Sequence, residues 1–233
     1  MGRTIVLRLG LVALGFLPVT LIAAATFDAW TLRQLALRLL LPAAAVTLLA
    51  VGGSATARHI VLRGLAIGIA ATFLYDLFRW SFLWLRWMET DPIVHIGSAL
   101  GLSPDWLFGY LWRYIGNGGG MAVAFTALGI RGVWRGVGYG LFVCGGLFIV
   151  LLVSPHGQQM LFPLDPVTVV MALVGHVIYG ATLGVLSPAA AGDGELPAIA
   201  LWPRSWPLRR APWRLPTTPY APTTPSVSSS RAL

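Results

Sequence analysis

Apolar residues run in long blocks along this chain, and polar residues gather in the short joints between them. Six blocks stand out, at about residues 9–27, 37–51, 62–87, 106–130, 136–153 and 166–186. A helix needs about 20 mostly apolar residues to cross the hydrocarbon of a bilayer. The pattern therefore predicts an all-α, polytopic transmembrane helix bundle of about six spans over residues 1–187. The first block follows Arg3 and Arg8 and closes on Ala23-Ala24-Ala25, which fits either a retained span or a cleaved signal peptide that would leave five. The second is short and holds Pro42, and reads either as a full span or as a helix entering the membrane part-way. The third ends among Trp80, Trp84 and Trp87, rings suited to a membrane interface. The run Gly116-Asn117-Gly118-Gly119-Gly120 interrupts the fourth, where it loosens the helix or lets another backbone touch it. Beyond Pro188 the chain turns rich in proline, serine and threonine, and residues 188–233 are predicted to form a disordered basic tail.

Composition agrees: 57% of residues are hydrophobic and 10% charged, against roughly a quarter charged in a soluble domain. Mean hydropathy is +0.77. The net charge of +8 comes from sixteen arginines with no lysine. Eleven of them (3, 8, 58, 63, 131, 135, 204, 209, 210, 214 and 231) flank one side of the predicted membrane, and Arg33, Arg38 and Arg86 the other. The positive-inside rule then places both termini in the cytoplasm. Span ends and tail account for the arginines without a nucleic-acid partner; Arg204, Arg209, Arg210 and Arg214, interleaved with Trp202, Trp206 and Trp213, suit anionic lipid headgroups.

Ionisable groups inside hydrocarbon cost roughly 2.5–3.5 kcal/mol each on insertion scales, so they mark where to look for function. Asp76, Arg79, Arg113 and Asn117 fall within the third and fourth blocks, at depths of about 10–16 Å from Trp87 or Trp106 at 1.5 Å per residue. His176 falls about 15 Å into the sixth. Asp76 with Arg79, and Arg113 with Asn117, have the spacing that puts each pair on one helix face. Three helices, the third and fourth running in opposite directions, would thus share a polar layer in the outer half of the membrane, with Tyr110, Tyr114 and Tyr179 able to complete it. One carboxylate against two guanidiniums leaves positive charge, which favours an anionic ligand; otherwise the cluster only fixes helix register.

Other chemistry finds little footing. The single cysteine, Cys144, sits in an apolar block, which excludes disulfide and cysteine-metal frameworks. Haem would need a second histidine at the depth of His176, and zinc at His95, His156 and Asp91 or Asp165 lacks ligand spacing. No nucleophile or phosphate-loop motif occurs, so no catalysis, cofactor or metal is expected. Small residues at helical spacing (Gly64 and Gly68, Gly136 and Gly140, Gly180 and Gly184) suit close helix packing, within the bundle or against a membrane partner or second copy.

Ala70-Ala71-Thr72-Phe73-Leu74-Tyr75-Asp76-Leu77-Phe78-Arg79, Gly109-Tyr110-Leu111-Trp112-Arg113 with Asn117-Gly118, and Gly175-His176-Val177-Ile178-Tyr179-Gly180 resemble segments of uncharacterised bacterial membrane proteins. The last, with Phe162-Pro163-Leu164-Asp165-Pro166 before it, is similar to the closing part of YagU-like inner-membrane proteins. The resemblance covers residues 62–187 and implies an inner-membrane protein with no biochemical activity attached. Two functions are carried forward. One is a small transporter or lipid- or anion-binding protein, with Arg79 and Arg113 holding the anion, Asp76 as counter-charge and His176 as proton carrier. The other is a non-catalytic accessory subunit of a larger membrane complex, docked through its glycine faces.

Overall fold

The computed structural model describes residues 2–88 and 91–187. The predicted tail, with Arg204, Arg209, Arg210 and Arg214, lies outside the described residues, as does Glu89. Among the described residues there are helices and no strands.

Five helices are long and apolar enough to cross a membrane: α1 (Gly2–Ala25), α2 (Leu32–Gly53), α3 (Ala55–Trp84), α6 (Val133–Val153) and α8 (Pro166–Leu186). Between α3 and α6 come a short helix α4 (Pro92–Leu100) and α5, an unbroken helical run over 105–127; α7 (Gly157–Met160) is one turn long. The predicted fourth block is therefore helical, but in three successive pieces. Asp105–Leu111 and Gly120–Ala127 are α-helical, and Trp112–Gly119 between them is a π-helix.

Local chemistry explains the boundaries. Thr31 and Gln34 form a capping box at the start of α2. A π turn over Ala36–Leu40 then precedes Pro42, whose ring and missing N–H disfavour a regular α turn there. Ser54, extended at φ −140°, alone separates α2 from α3 and caps Ala57 N. Asp91 before Pro92, and Asp165 before Pro166, cap α4 and α8.

The third block was expected to run to Trp87, yet α3 stops at Trp84. Arg86 takes a left-handed conformation at φ 57°, and the backbone folds back so that Trp87 N bonds Phe82 O at 2.9 Å and the two rings meet at 5.2 Å. No glycine or proline stands at the stop, so no residue type marks it. This reversal returns the chain toward α3 and starts α4, between the third and fourth apolar blocks. A Cβ at Gly97 would stand 1.8 Å from Asp105 O, and one at Gly109 2.0 Å from Ile93 O, so α4 and the first turns of α5 pack backbone to backbone.

Glycine also sets the rest of the packing. Cβ atoms at Gly136 and Gly140 would stand 2.1 Å from Gly180 O and 2.2 Å from His176 O, which welds α6 to α8. Gly64 and Gly68 of α3 face Val123, Ala122 and Gly118 O of α5, and Gly120 of α5 meets Gly15 O of α1. Phe125, Met171, Leu183 and Ala71 fill the core that results. These glycine faces are thus consumed inside the chain, and the expectation that Gly136 or Gly180 docks a larger complex is corrected: a second helix of the same protein occupies each. α2 is the exception in packing, with 6% of its span buried and Leu37, Leu41, Leu48 and Leu49 exposed.

Gly136→Leu or Gly180→Leu should destabilise the detergent-solubilised protein by at least about 1–3 kcal/mol in a thermal or denaturant melt. Gly145→Leu, with nothing within 4 Å of its Cβ position, should leave the melt unchanged.

Candidate functional site

Asp76 lies two turns before the end of α3 and is completely buried. Its Oδ1 accepts from Arg79 Nε at 3.1 Å, Arg113 Nη2 at 2.9 Å and Arg113 Nε at 3.2 Å. The three-residue spacing delivers Arg79 from the same helix, and the packing of α5 on α3 delivers Arg113. A buried charge left unpaired is costly by several kcal/mol, so these contacts are a condition of burying the carboxylate at all.

Arg79 is 2% exposed and spends every guanidinium nitrogen. Beyond Asp76, its Nη1 donates to Asp91 Oδ1 at 2.6 Å and its Nη2 to the Tyr110 hydroxyl at 2.9 Å. That hydroxyl donates in turn to Asp91 Oδ2 at 2.7 Å and accepts from Trp80 Nε1 at 2.9 Å. Asp91, with its side chain 19% exposed, also caps Ile93 N at 2.9 Å. The network therefore holds two aspartates and two arginines and is neutral, which corrects the expected excess of positive charge. Its missing negative group was supplied by the chain: the reversal after Trp84 brings Asp91 back onto Arg79.

Arg113 is placed differently. Its guanidinium carbon lies 4.4 Å from the centre of the Tyr75 ring, its side chain is 15% exposed, and its Nη1 makes no hydrogen bond to any described residue. Asp76 Oδ2 is likewise buried without a hydrogen-bond partner among the described residues. The Tyr114 phenol lies within hydrogen-bonding reach of that carboxylate.

His176 and Asn117 do not join. His176 Nδ1 lies 2.7 Å from Ala172 O, one turn back in its own helix, and so donates there. The Tyr75 ring, edge-on at 5.3 Å, lies against the imidazole as Arg113 lies over it. Gly175 makes room for that ring, since a Cβ there would stand 2.5 Å from Tyr75 Cζ, which accounts for the glycine-histidine pair. Asn117 Oδ1 accepts from Trp112 Nε1 at 3.0 Å. Expecting Asn117 beside Arg113 assumed α-helical spacing. In the π segment bonds run from i to i+5, so the residue stacked with Asn117 is Trp112.

The remaining phenols serve the backbone. Tyr179 donates to Gly118 O at 2.6 Å and Tyr139 to Met121 O at 2.7 Å, supporting the widened helix from α8 and α6. Of the residues named for a zinc site, Asp91 bonds Arg79, Asp165 caps α8 and His156 pairs with Asp28 at 2.5 Å. Asp91 and Trp80 were not foreseen in the network. The Asp-Pro start of a helix was the available signal for the former.

A double-mutant cycle on Arg79→Gln and Asp91→Asn, read as unfolding free energy in detergent, should return a coupling of about 1–3 kcal/mol. The same cycle on the exposed pair Asp28 and His156 should return well under about 1 kcal/mol. No protein-family model, curated protein or solved structure matches this chain, so the YagU-like resemblance rests on the residues that carry it.

Proposed function

We propose that this is a non-catalytic, multi-pass protein of the bacterial inner membrane that binds an acidic group, from a lipid or a small anion, at Arg113. Six runs cross the membrane in this reading, α5 being the sixth, with both termini cytoplasmic as the eleven-to-three arginine asymmetry favours. The seating of α1 against α5 through Gly15 and Gly120 supports a retained first span.

One observation carries the ligand reading. Of the two buried arginines, Arg79 is saturated by protein partners, whereas Arg113 has one guanidinium nitrogen with no hydrogen bond among the described residues and is partly accessible. A planar guanidinium with a free edge suits a carboxylate or phosphate oxygen. Arg79 and Asp91 then hold the frame, Asp76 orients Arg113, and His176 is no longer assigned a proton. The low burial of α2 supports a second reading, an accessory subunit whose partner or second copy covers that helix.

Mass spectrometry of the protein extracted with its native lipids tests both. The expected result is an acidic lipid or metabolite bound at one per chain, its retention falling at least tenfold in Arg113→Gln while the melt stays near wild type. Loss of fold together with loss of ligand would count against Arg113 as a binding residue. A stoichiometric membrane protein that cross-links to a cysteine placed at Leu48, with no ligand present, would support the accessory reading instead.

A further inference from the structure

A groove of about 490 Å³ lies between α3 and α8, away from the Asp76 network. The small side chains of Ala70 and Ala181 leave the space, and Phe73, Val185 and Leu186, all exposed, stand around it. The one hydroxyl in its wall, Thr182 Oγ1, donates to Ile178 O at 2.8 Å, so the lining side chains present hydrocarbon alone.

A charge stands at one end of this groove. Arg63 precedes Ala70 by two helical turns, about 10 Å along α3, and shares its face. Ala66, exposed on the same face between them, leaves the way from groove to guanidinium clear. Arg63 is itself exposed and makes no hydrogen bond or ion pair to a described residue. α8 runs antiparallel to α3, with Gly175 packed on Tyr75 and Ala181 level with Ala70, so Leu186 lies toward the Arg63 end. In the orientation proposed above, that end is cytoplasmic. Helical side chains lean toward the N-terminus of their helix, which carries the Arg63 head to the lipid headgroups while its methylenes stay along the groove.

Hydrocarbon in line with a cation at headgroup level complements a molecule that joins an acyl chain to an anion. We infer that the groove between α3 and α8 binds an anionic phospholipid of the cytoplasmic leaflet, one acyl chain lying between Ala70 and Ala181 and the phosphate meeting Arg63. This site is separate from Arg113, on α5 toward the opposite face of the membrane, and does not depend on a ligand binding there.

The test is photolabelling of the full chain in phosphatidylcholine nanodiscs that contain a trace of phosphatidylglycerol carrying a diazirine in one acyl chain, with labelled peptides read by mass spectrometry. Nanodiscs offer the lipid on both faces, so the outcome is independent of which side is cytoplasmic. Label should concentrate in residues 70–74 and 181–186 rather than at Leu48, Leu49 and Phe142, which are exposed elsewhere. Arg63→Gln, at an exposed position, should keep the melt and lower the labelling about fivefold. Ala181→Trp should fill the groove and remove it, and Arg113→Gln should leave it unchanged. Phosphatidylcholine with the same diazirine should label the groove about fivefold less than phosphatidylglycerol. Label spread evenly over the exposed apolar residues, equal labelling by the two lipids, or no response to Arg63→Gln would overturn the inference. Absence of label from the groove, as a second copy of the chain covering it would cause, would overturn it as well. Loss of label in Arg113→Gln would move the lipid to the Arg113 site, overturning this inference and supporting the reading above.

Discussion

A carboxylate with no exposed surface in a bundle surrounded by lipid has no water to turn to, and its neutralisation governs much of this architecture. Asp76 is held by two guanidiniums on a single oxygen, and neutralising two guanidiniums requires a second carboxylate. That second carboxylate arrives only because α3 ends at Trp84 and the chain reverses through the left-handed Arg86. The position of α4 follows, since Asp91 is at once the partner of Arg79 and the cap of α4. Charge compensation and backbone capping are thus satisfied by the same side chain.

The second constraint is that helices in lipid gain no hydrophobic advantage by touching each other, so contact has to come from close packing and hydrogen bonds. Here glycine supplies the first, letting α6 and α8 approach until carbonyls stand where side chains would be. The π segment of α5 shows the two working together. Gly118, Gly119 and Gly120 bring α3 and α1 against its backbone, and the Tyr179 phenol bonds Gly118 O. A wide turn weakens regular α-helical bonding, and an outside donor compensates where it does so.

What the sequence disclosed follows from which signals are local. Long apolar blocks located the helices, and the cost of charge in hydrocarbon singled out Asp76, Arg79 and Arg113, which do meet. The glycine pairs marked close approaches, although spacing alone could not say whether the neighbouring helix belonged to this chain. Asn117 and His176 were misplaced for different reasons. The first depended on an α-helical register that the π segment abolishes. The second shared a depth with the cluster but faces Tyr75, and depth does not fix azimuth. Asp91 was hidden because its role depends on a reversal at Leu85-Arg86, where no residue type announces a stop.

Neutrality also limits what the cluster can do. A site with surplus positive charge would attract any anion, and the excess of arginine over aspartate within the predicted spans suggested such a site. With Asp91 included, the field of the four charges largely cancels at a distance, and selectivity passes from net charge to the pattern of unsatisfied hydrogen-bonding atoms. That pattern is uneven: Arg79 is bonded at every guanidinium nitrogen, while Arg113 Nη1 bonds no described residue. A saturated arginine thus stands beside a partly accessible one on the same carboxylate. Because Asp76 bonds both, a ligand drawing Arg113 away would shift that carboxylate's charge onto Arg79, and the strain would pass through Asp91 to the start of α4.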